Sequence, residues 1–533
     1  MLDRFAELWT AERKHDVVLV LLLVSLCVAV FVLGVPRLVI YGHDVFVALD
    51  GAWRVLNGQR PQVDFFAQMG PVCYLIHAAG ITLAGGDARG LGYGTAMVAI
   101  VLAAWSFLLL RGRMASIPCI LACVTLVLLA VAPFPLGMEP WYTSFSMKHN
   151  RYGFALTGLV FLECFLPSLS AEGSGRKQLG GAFSSGLACA VLLFLKISYG
   201  LVALVLIAAS VVLRPGRLLR IAGAFSGLAC FALPMLAWLR FDLAALAREY
   251  GSLTAAQRPH FTAPIILWRL YLDRFEILPV LLLALLTALL PGVARRRAIT
   301  LVSAAVLAVA GSTLLVLGNT QARDHPLIMV LALLLVNELT AVLRPGAQPQ
   351  AAVLLSFGLL AIAIPGALDA SGLALGLWSK LRLPASDYGF HAEHLRALRF
   401  ADVSDGRFRN DNGQAFVRYT EEGMDLVRAC GRPDESVRGL GMSNPFSFAL
   451  LRRPPRGGAV ALAPTDVSPD NVPPLKMLVG NADLLLLPKF PASDRETLAL
   501  ILSKHPQLLS KDYARTAESP DWELYRRSAT AAP

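Results

Sequence analysis

The feature that most constrains this chain is a series of long apolar runs separated by short polar turns. The first, VVLVLLLVSLCVAVFVLGV at 17–35, contains no charged residue. A run of that length crosses the roughly 30 Å hydrocarbon core of a bilayer as a single helix. No small-x-small cleavage site follows it, so it reads as a retained first helix and not as a signal peptide. Further runs at 90–110, 115–132, 152–167, 181–195, 199–213, 221–239, 277–291, 299–317, 326–343 and 351–364 bring the total to about eleven spans. Composition agrees: 56% of residues are hydrophobic and 16% charged, against about a quarter charged in soluble chains. The fold class expected is an α-helical polytopic membrane protein.

Charge then orients it. The segment 72–85 is apolar but short and broken by glycine, so it is expected to be interfacial or re-entrant. If it does not cross, the basic clusters Arg111 with Arg113, Arg176 with Lys177, Arg214 with Arg217 and Arg220, Arg295 to Arg297, and Arg344 share one side with the basic N-terminal segment. That side is the cytoplasm by the positive-inside rule. The formal net charge of +11 belongs to these loops and does not call for a nucleic-acid partner. Most cysteines lie in apolar runs, where the residue acts as a small hydrophobe, and no metal or disulfide spacing is present.

From about residue 368 the composition becomes that of a soluble protein. VRGLGM, GAVALAP and ADLLLLPK read as buried strands, and 421–429 and 494–504 have helical spacing. The domains expected are therefore a transmembrane part, 1–367, and an α/β domain, 368–533, placed outside the membrane by parity.

The first external loop, 36–71, holds Asp44, Asp50 and Asp64 among aromatic residues. After Asp44, the residues Val45, Leu49, Ala52, Trp53 and Leu56 share a helical face, and Asn57-Gly58 stops the helix. Such a helix is expected to lie on the membrane, with Trp53 at headgroup level and Asp50 on a solvated face. Asp44 reads as a catalytic base or as a helix N-cap, two roles that are compatible. Asp64 is either a second functional acid or a turn former.

The other external stretches carry cations at span ends: Lys148, His149 and Arg151 in KHNRYG, Lys196 in KISYG, and Arg323 with His325 in ARDHP. An arginine suits bidentate phosphate contacts and a lysine acts as a point charge. Snorkelling explains Lys196 equally well, and boundary placement explains Arg151 and Arg323. The two histidines fit ordinary interfacial positions. Arg258, in the turn before His260, is a weaker candidate for the acceptor side.

An acid, a short amphipathic helix, NGQRP, DFF and GP after the first span, with RDHPLIMVLALLL opening a later one, resembles the GT-C superfamily of membrane glycosyltransferases. Within it, the chain looks most like the bacterial branch of lipid A aminoarabinose transferases and protein mannosyltransferases. The resemblance implies an inverting-type glycosyltransferase of the inner membrane. It would move a sugar from a polyprenyl-phosphate carrier to an envelope glycan, lipid or protein acceptor on the outer face, with Asp44 as general base. Such enzymes commonly carry an acidic pair at this point, and here Val45 follows Asp44. A lone aspartate is compatible with a divalent metal but does not indicate one, so the cofactor stays open. Three other readings share these features: a lipid-linked sugar transporter or flippase, an O-antigen ligase or polymerase centred on the 240–276 loop, and a scaffold without activity.

Overall fold

A computed structural model describes residues 2–166, 175–257, 261–318, 324–343, 349–382, 387–402, 413–462, 467, 472–489 and 492–528, with side chains omitted for 2–13, 252–257 and 492–493. Every span expected from the sequence is a helix among the described residues. In order these are α1 (Leu2–Leu33), the loop helices α2 (Asp44–Leu56) and α3 (Pro71–Leu83), then α4 (Gly90–Leu110), α5 (Ser116–Val131), α6 (Lys148–Phe165), α7 (Gly175–Leu195), α8 (Ile197–Leu213) and α9 (Arg217–Trp238). The loop helices α10 (Leu243–Gln257) and α11 (Ala263–Leu272) precede α12 (Arg274–Ala288), α13 (Arg295–Leu317), α14 (Pro326–Val342) and α15 (Pro349–Leu381). Among the described residues, six helices are long and apolar enough to cross a membrane by themselves. The helices α5, α6, α8, α12 and α14 complete the bundle; α14 is buried along nearly its whole length.

Hydrogen bonds at the helix ends sort the spans onto two sides. On the side away from the soluble domain, four arginines converge on the C-terminal end of α6. Arg113 and Arg214 donate to the Glu163 carbonyl (3.0 and 2.7 Å), Arg297 donates to the Phe165 carbonyl (2.6 Å), and Arg220 lies 3.8 Å from the Glu163 carboxylate. Cations at a helix C-terminus offset the dipole and its unpaired carbonyls. Three basic clusters distant in sequence thus meet at one helix end, as the charge pattern required. On the other side, Lys380 at the end of α15 donates to the carbonyls of Val32 and Leu33 at the end of α1.

Helix α3 has both ends on that domain side. Gly70 N, just before it, donates to the Leu195 carbonyl at the end of α7, and Ala88 N, just after it, donates to the His394 carbonyl of the C-terminal domain. The segment expected to stay out of the crossing count is therefore one short helix that does not cross. Helix α15 continues through residue 368, where the composition changes, because small residues such as Gly372 and Gly376 let it lie against Phe134 and Leu33.

The C-terminal domain is α/β. Two short strands, β1 (Tyr388–Gly389) and β2 (Arg399–Phe400), pair with each other. A four-stranded sheet has the order β3 (Val437–Gly439), β4 (Leu484–Pro488), β6 (Trp522–Arg527), β5 (Tyr513–Glu518). It is parallel between β3 and β4 and antiparallel elsewhere. Helices α16 (Gly413–Cys430), α17 (Phe446–Ala449), α18 (Leu475–Leu478) and α19 (Ala492–Lys504) surround it. The GAVALAP segment is not a sheet strand. Its backbone pairs instead with the first loop, where Phe66 N donates to the Gly458 carbonyl and Val460 N to the Phe66 carbonyl.

That pairing corrects the expected position of α2. Its Val45, Phe46, Leu49 and Ala52 pack into one core with Phe390, Phe400, Phe416 and Phe446 of the C-terminal domain. Trp53 does not face headgroups: its Nε1 donates to the Arg452 carbonyl at 2.7 Å and its ring meets Phe448 edge-on. Asp50 is not solvated either. It is fully buried, paired with Arg54 and accepting from Asn444 Nδ2 at 3.0 Å. Covering the outer face of α2 with a domain turns an amphipathic surface helix into an interior one.

Candidate active site

Asp44 opens α2. Its carboxylate accepts from Ser146 Oγ and lies 3.2 Å from His43 Nε2. Among the described residues no side chain caps the helix, whose N-cap is His43, so capping does not account for this aspartate. About a quarter of its side chain, 26%, is exposed, which leaves an oxygen within reach of a bound molecule. Burial pushes the carboxyl up, but His43, Ser146 and His149 together hold it below its ordinary value. It is therefore ionised throughout the neutral range.

The two segments that meet here are backbone-strained. Tyr41 has φ 53° and Met147 φ 57°, a left-handed conformation that residues with a Cβ seldom adopt. Met147 precedes α6 directly, and its turn puts Ser146 on Asp44 while sending His149 into the same space. His149 has Asp44 and Lys196 as its charged neighbours. Lys196 stands at the N-cap of α8, where its Nζ donates to Asn150 Oδ1 at 3.2 Å. Tyr199 OH donates to the same oxygen at 3.3 Å, which fixes the amide. Asp44 of the first loop and Lys196 at the start of α8 are thus both bonded to the beginning of α6, at Ser146 and Asn150, with His149 between those two in sequence.

Other expected residues lie elsewhere or are already engaged. Lys148 turns away and donates to the carbonyls of Val131 and Ala132, closing the end of α5. Arg151 is buried, paired with Asp369 of α15 at 2.9 Å, donating to the Leu129 and Phe134 carbonyls and lying over the Phe134 ring. Both cations tie helices to one another. Asp64 accepts from Arg60 N at 2.8 Å and so holds a local turn. His325 is buried, 2.6 Å from Asp273, on the approach to α14. Arg258 and Arg323 fall outside the described residues.

Two residues had no distinguishing signal in the sequence. His43 is a lone histidine in YGHD, recognisable only once Asp44 is singled out. Glu249 of α10 is buried and accepts from Ala67 N of the first loop at 2.6 Å. Burial raises its carboxyl to about 8, against the lowering effect of that hydrogen bond. Among the described residues, no group of three or more His, Cys, Asp or Glu side chains is placed to hold a metal ion.

Among solved structures, the chain is similar to ArnT from Cupriavidus metallidurans bound to undecaprenyl phosphate, with a TM-score of 0.51 and 15% identity over 96% of this chain and 99% of that one. The same enzyme in its apo state gives a TM-score of 0.50 and 14% identity over the same shares. No protein-family model matches the chain, and no curated protein does. At this identity the likeness establishes the fold alone: an ArnT-like helical membrane bundle with a C-terminal domain, the architecture the sequence resemblance implied.

Proposed function

We propose that this protein is a glycosyltransferase that takes a sugar from a polyprenyl-phosphate carrier and transfers it to an envelope acceptor on the domain side of the membrane. The observation that carries the reading is that Asp44 and Lys196, from distant stretches, are both hydrogen-bonded to the start of α6, through Ser146 and Asn150 on either side of His149. The fold shared with an enzyme that binds undecaprenyl phosphate supports the choice of donor.

The chemistry follows from the groups. Asp44 orients the acceptor hydroxyl or amine and takes its proton as the new bond to the anomeric carbon forms. The anomeric carbon–oxygen bond to phosphate breaks on the opposite face, which inverts configuration. Lys196 offsets the charge left on the departing lipid phosphate, and the neutral imidazole of His149 serves it as a hydrogen-bond donor. A carboxylate held below its ordinary pKa is a weak base, so it accepts the proton late, when the nucleophile has already become acidic. His43 and Ser146 act on Asp44 and not on substrate, keeping its oxygens aimed. The acceptor-side role of Arg258 and the phosphate-side role of Arg323 remain part of this proposal.

The test is transfer by purified protein from a pool of polyprenyl-phosphate sugars. Asp44→Asn should lose activity by about 100-fold or more, the range expected for a general base, while folding and inserting as wild type does. Undiminished turnover in that variant would reject the base. Movement of the lipid-linked sugar across vesicles without transfer would favour the transporter reading.

A further inference from the structure

The junction between α2 and the C-terminal domain buries more positive than negative charge. Arg54 and Arg438 are both fully buried. Arg54 Nε pairs with Asp50 at 2.9 Å, and its Nη1 donates to the carbonyls of Pro455 and Gly457, each at 2.8 Å. Its Nη2 has no hydrogen-bond partner among the described residues. Arg438 is the more unusual of the two: Nε, Nη1 and Nη2 all lack a partner there.

Asn444 links the strand that carries Arg438 to the carboxylate that Arg54 pairs with. Side chains alternate along β3, so Arg438 shares a face with Leu440 and not with Gly439. Leu440 packs with Phe66 and Ala459. Phe66 follows Phe65, whose ring lies under the Arg54 guanidinium, 5.2 Å from its centroid. Ala459 lies two residues after Gly457, whose carbonyl Arg54 holds. From the neighbouring turn, Asn444 accepts from Gly439 N and donates to Asp50, bringing β3 up to α2.

The charged neighbours of Arg438 are Asp50 and Arg54. Burial pulls its guanidinium down only to about 9, so it is charged at neutral pH. Two cations therefore face one carboxylate in a region closed to solvent. Glu249, the buried acid of α10, is mostly protonated at pH 7 and does not supply the missing charge. An uncompensated buried charge is strongly unfavourable, and water satisfies donors without neutralising charge.

We propose that Arg438 and Arg54 form a buried binding site for one small monovalent anion, of the chloride class, which locks the C-terminal domain onto α2. The site is distinct from the proposed transfer site and does not depend on that activity.

The test uses purified full-length protein in detergent, with thermal unfolding followed in sodium chloride, sodium bromide and sodium gluconate at matched ionic strength. Both halides should raise the unfolding temperature by several degrees over gluconate, with a saturable dependence on concentration, because a ligand bound only by the folded state stabilises it by mass action. Arg438→Met should lose that response and unfold in gluconate no earlier than wild type does. Equal unfolding temperatures in all three salts would overturn the proposal, as would a full halide response in Arg438→Met. Should that variant not fold, wild-type crystals grown in bromide decide the matter: an anomalous peak between the two guanidinium groups supports the site, and its absence overturns it.

Discussion

Asp50 and Arg54 form an ion pair one helical turn apart in α2, with both side chains wholly removed from solvent. The pair joins two parts of the protein, because Arg54 also holds the carbonyls of Pro455 and Gly457 while Asp50 accepts from Asn444. Removing Asp50 leaves Arg54 and Arg438 buried without a carboxylate, a change that costs about 3–5 kcal/mol, whereas removing Arg54 leaves Asp50 facing Arg438 but strips the Pro455 and Gly457 carbonyls of their donor. Arg54→Met and Asp50→Leu should each lower the unfolding temperature markedly in detergent. The double variant should lose less than the sum of the two, since Arg54 is then no longer buried without its carboxylate. Additive losses would show that the pair is not coupled.

The pH dependence of transfer should report Asp44 and its neighbours. The ionised carboxylate is the active form, so activity is present above its pKa and falls as pH drops through it. Because that pKa lies below the ordinary carboxylate range, the acid limb should lie below it too. His43 lowers the pKa both by charge and by hydrogen bonding, so His43→Asn should move the limb to higher pH. Ser146→Ala should move it the same way through loss of its hydrogen bond. The measurement is kcat/KM against pH for the three proteins, and an unmoved limb in His43→Asn would remove that residue from the site.

Glu249 should make stability depend on pH in the opposite sense. Between its ordinary 4.5 and about 8, the folded protein holds a proton that the unfolded chain has released. The linkage relation then requires stability to fall as pH rises across that window. Glu249→Gln keeps an acceptor for Ala67 N and removes the titration, so its unfolding temperature should decline less between pH 5 and pH 8 than that of wild type. Parallel declines would show that the carboxyl does not titrate there.

The spans were legible because an apolar run long enough to cross a bilayer has few other uses, and the basic clusters that oriented them do converge, at Glu163 and Phe165. Asp44 was legible through its place between a span and an amphipathic helix. Asp50 was misjudged because a helical wheel treats whatever is not membrane as water, and the partner that buries it, Asn444, lies 394 residues away. Lys148 and Arg151 illustrate a different limit. They share a motif with His149, yet helical rotation turns them toward α5 and α15 instead, and no local pattern reveals what a helix face meets. GAVALAP has strand composition, but its partner is Phe66 of the first loop, a pairing that local propensity cannot anticipate.

Lys196 offers the sharpest separation of charge from packing. Its Nζ donates to Asn150, whose oxygen is held by Tyr199 as well, so removing the ammonium leaves that amide in place. A charge-assisted hydrogen bond is worth about 1.5–3 kcal/mol. Lys196→Met should therefore lower kcat/KM for the polyprenyl-phosphate donor by about 10- to 100-fold, with unfolding temperature little changed. If the lysine meets the phosphate mainly as it departs, the loss falls on kcat; if it holds the donor beforehand, the loss falls on KM. Lys196→Arg keeps the cation at nearly the same reach and should restore part of the activity. Full activity in Lys196→Met would mean that the lysine only snorkels at the end of α7.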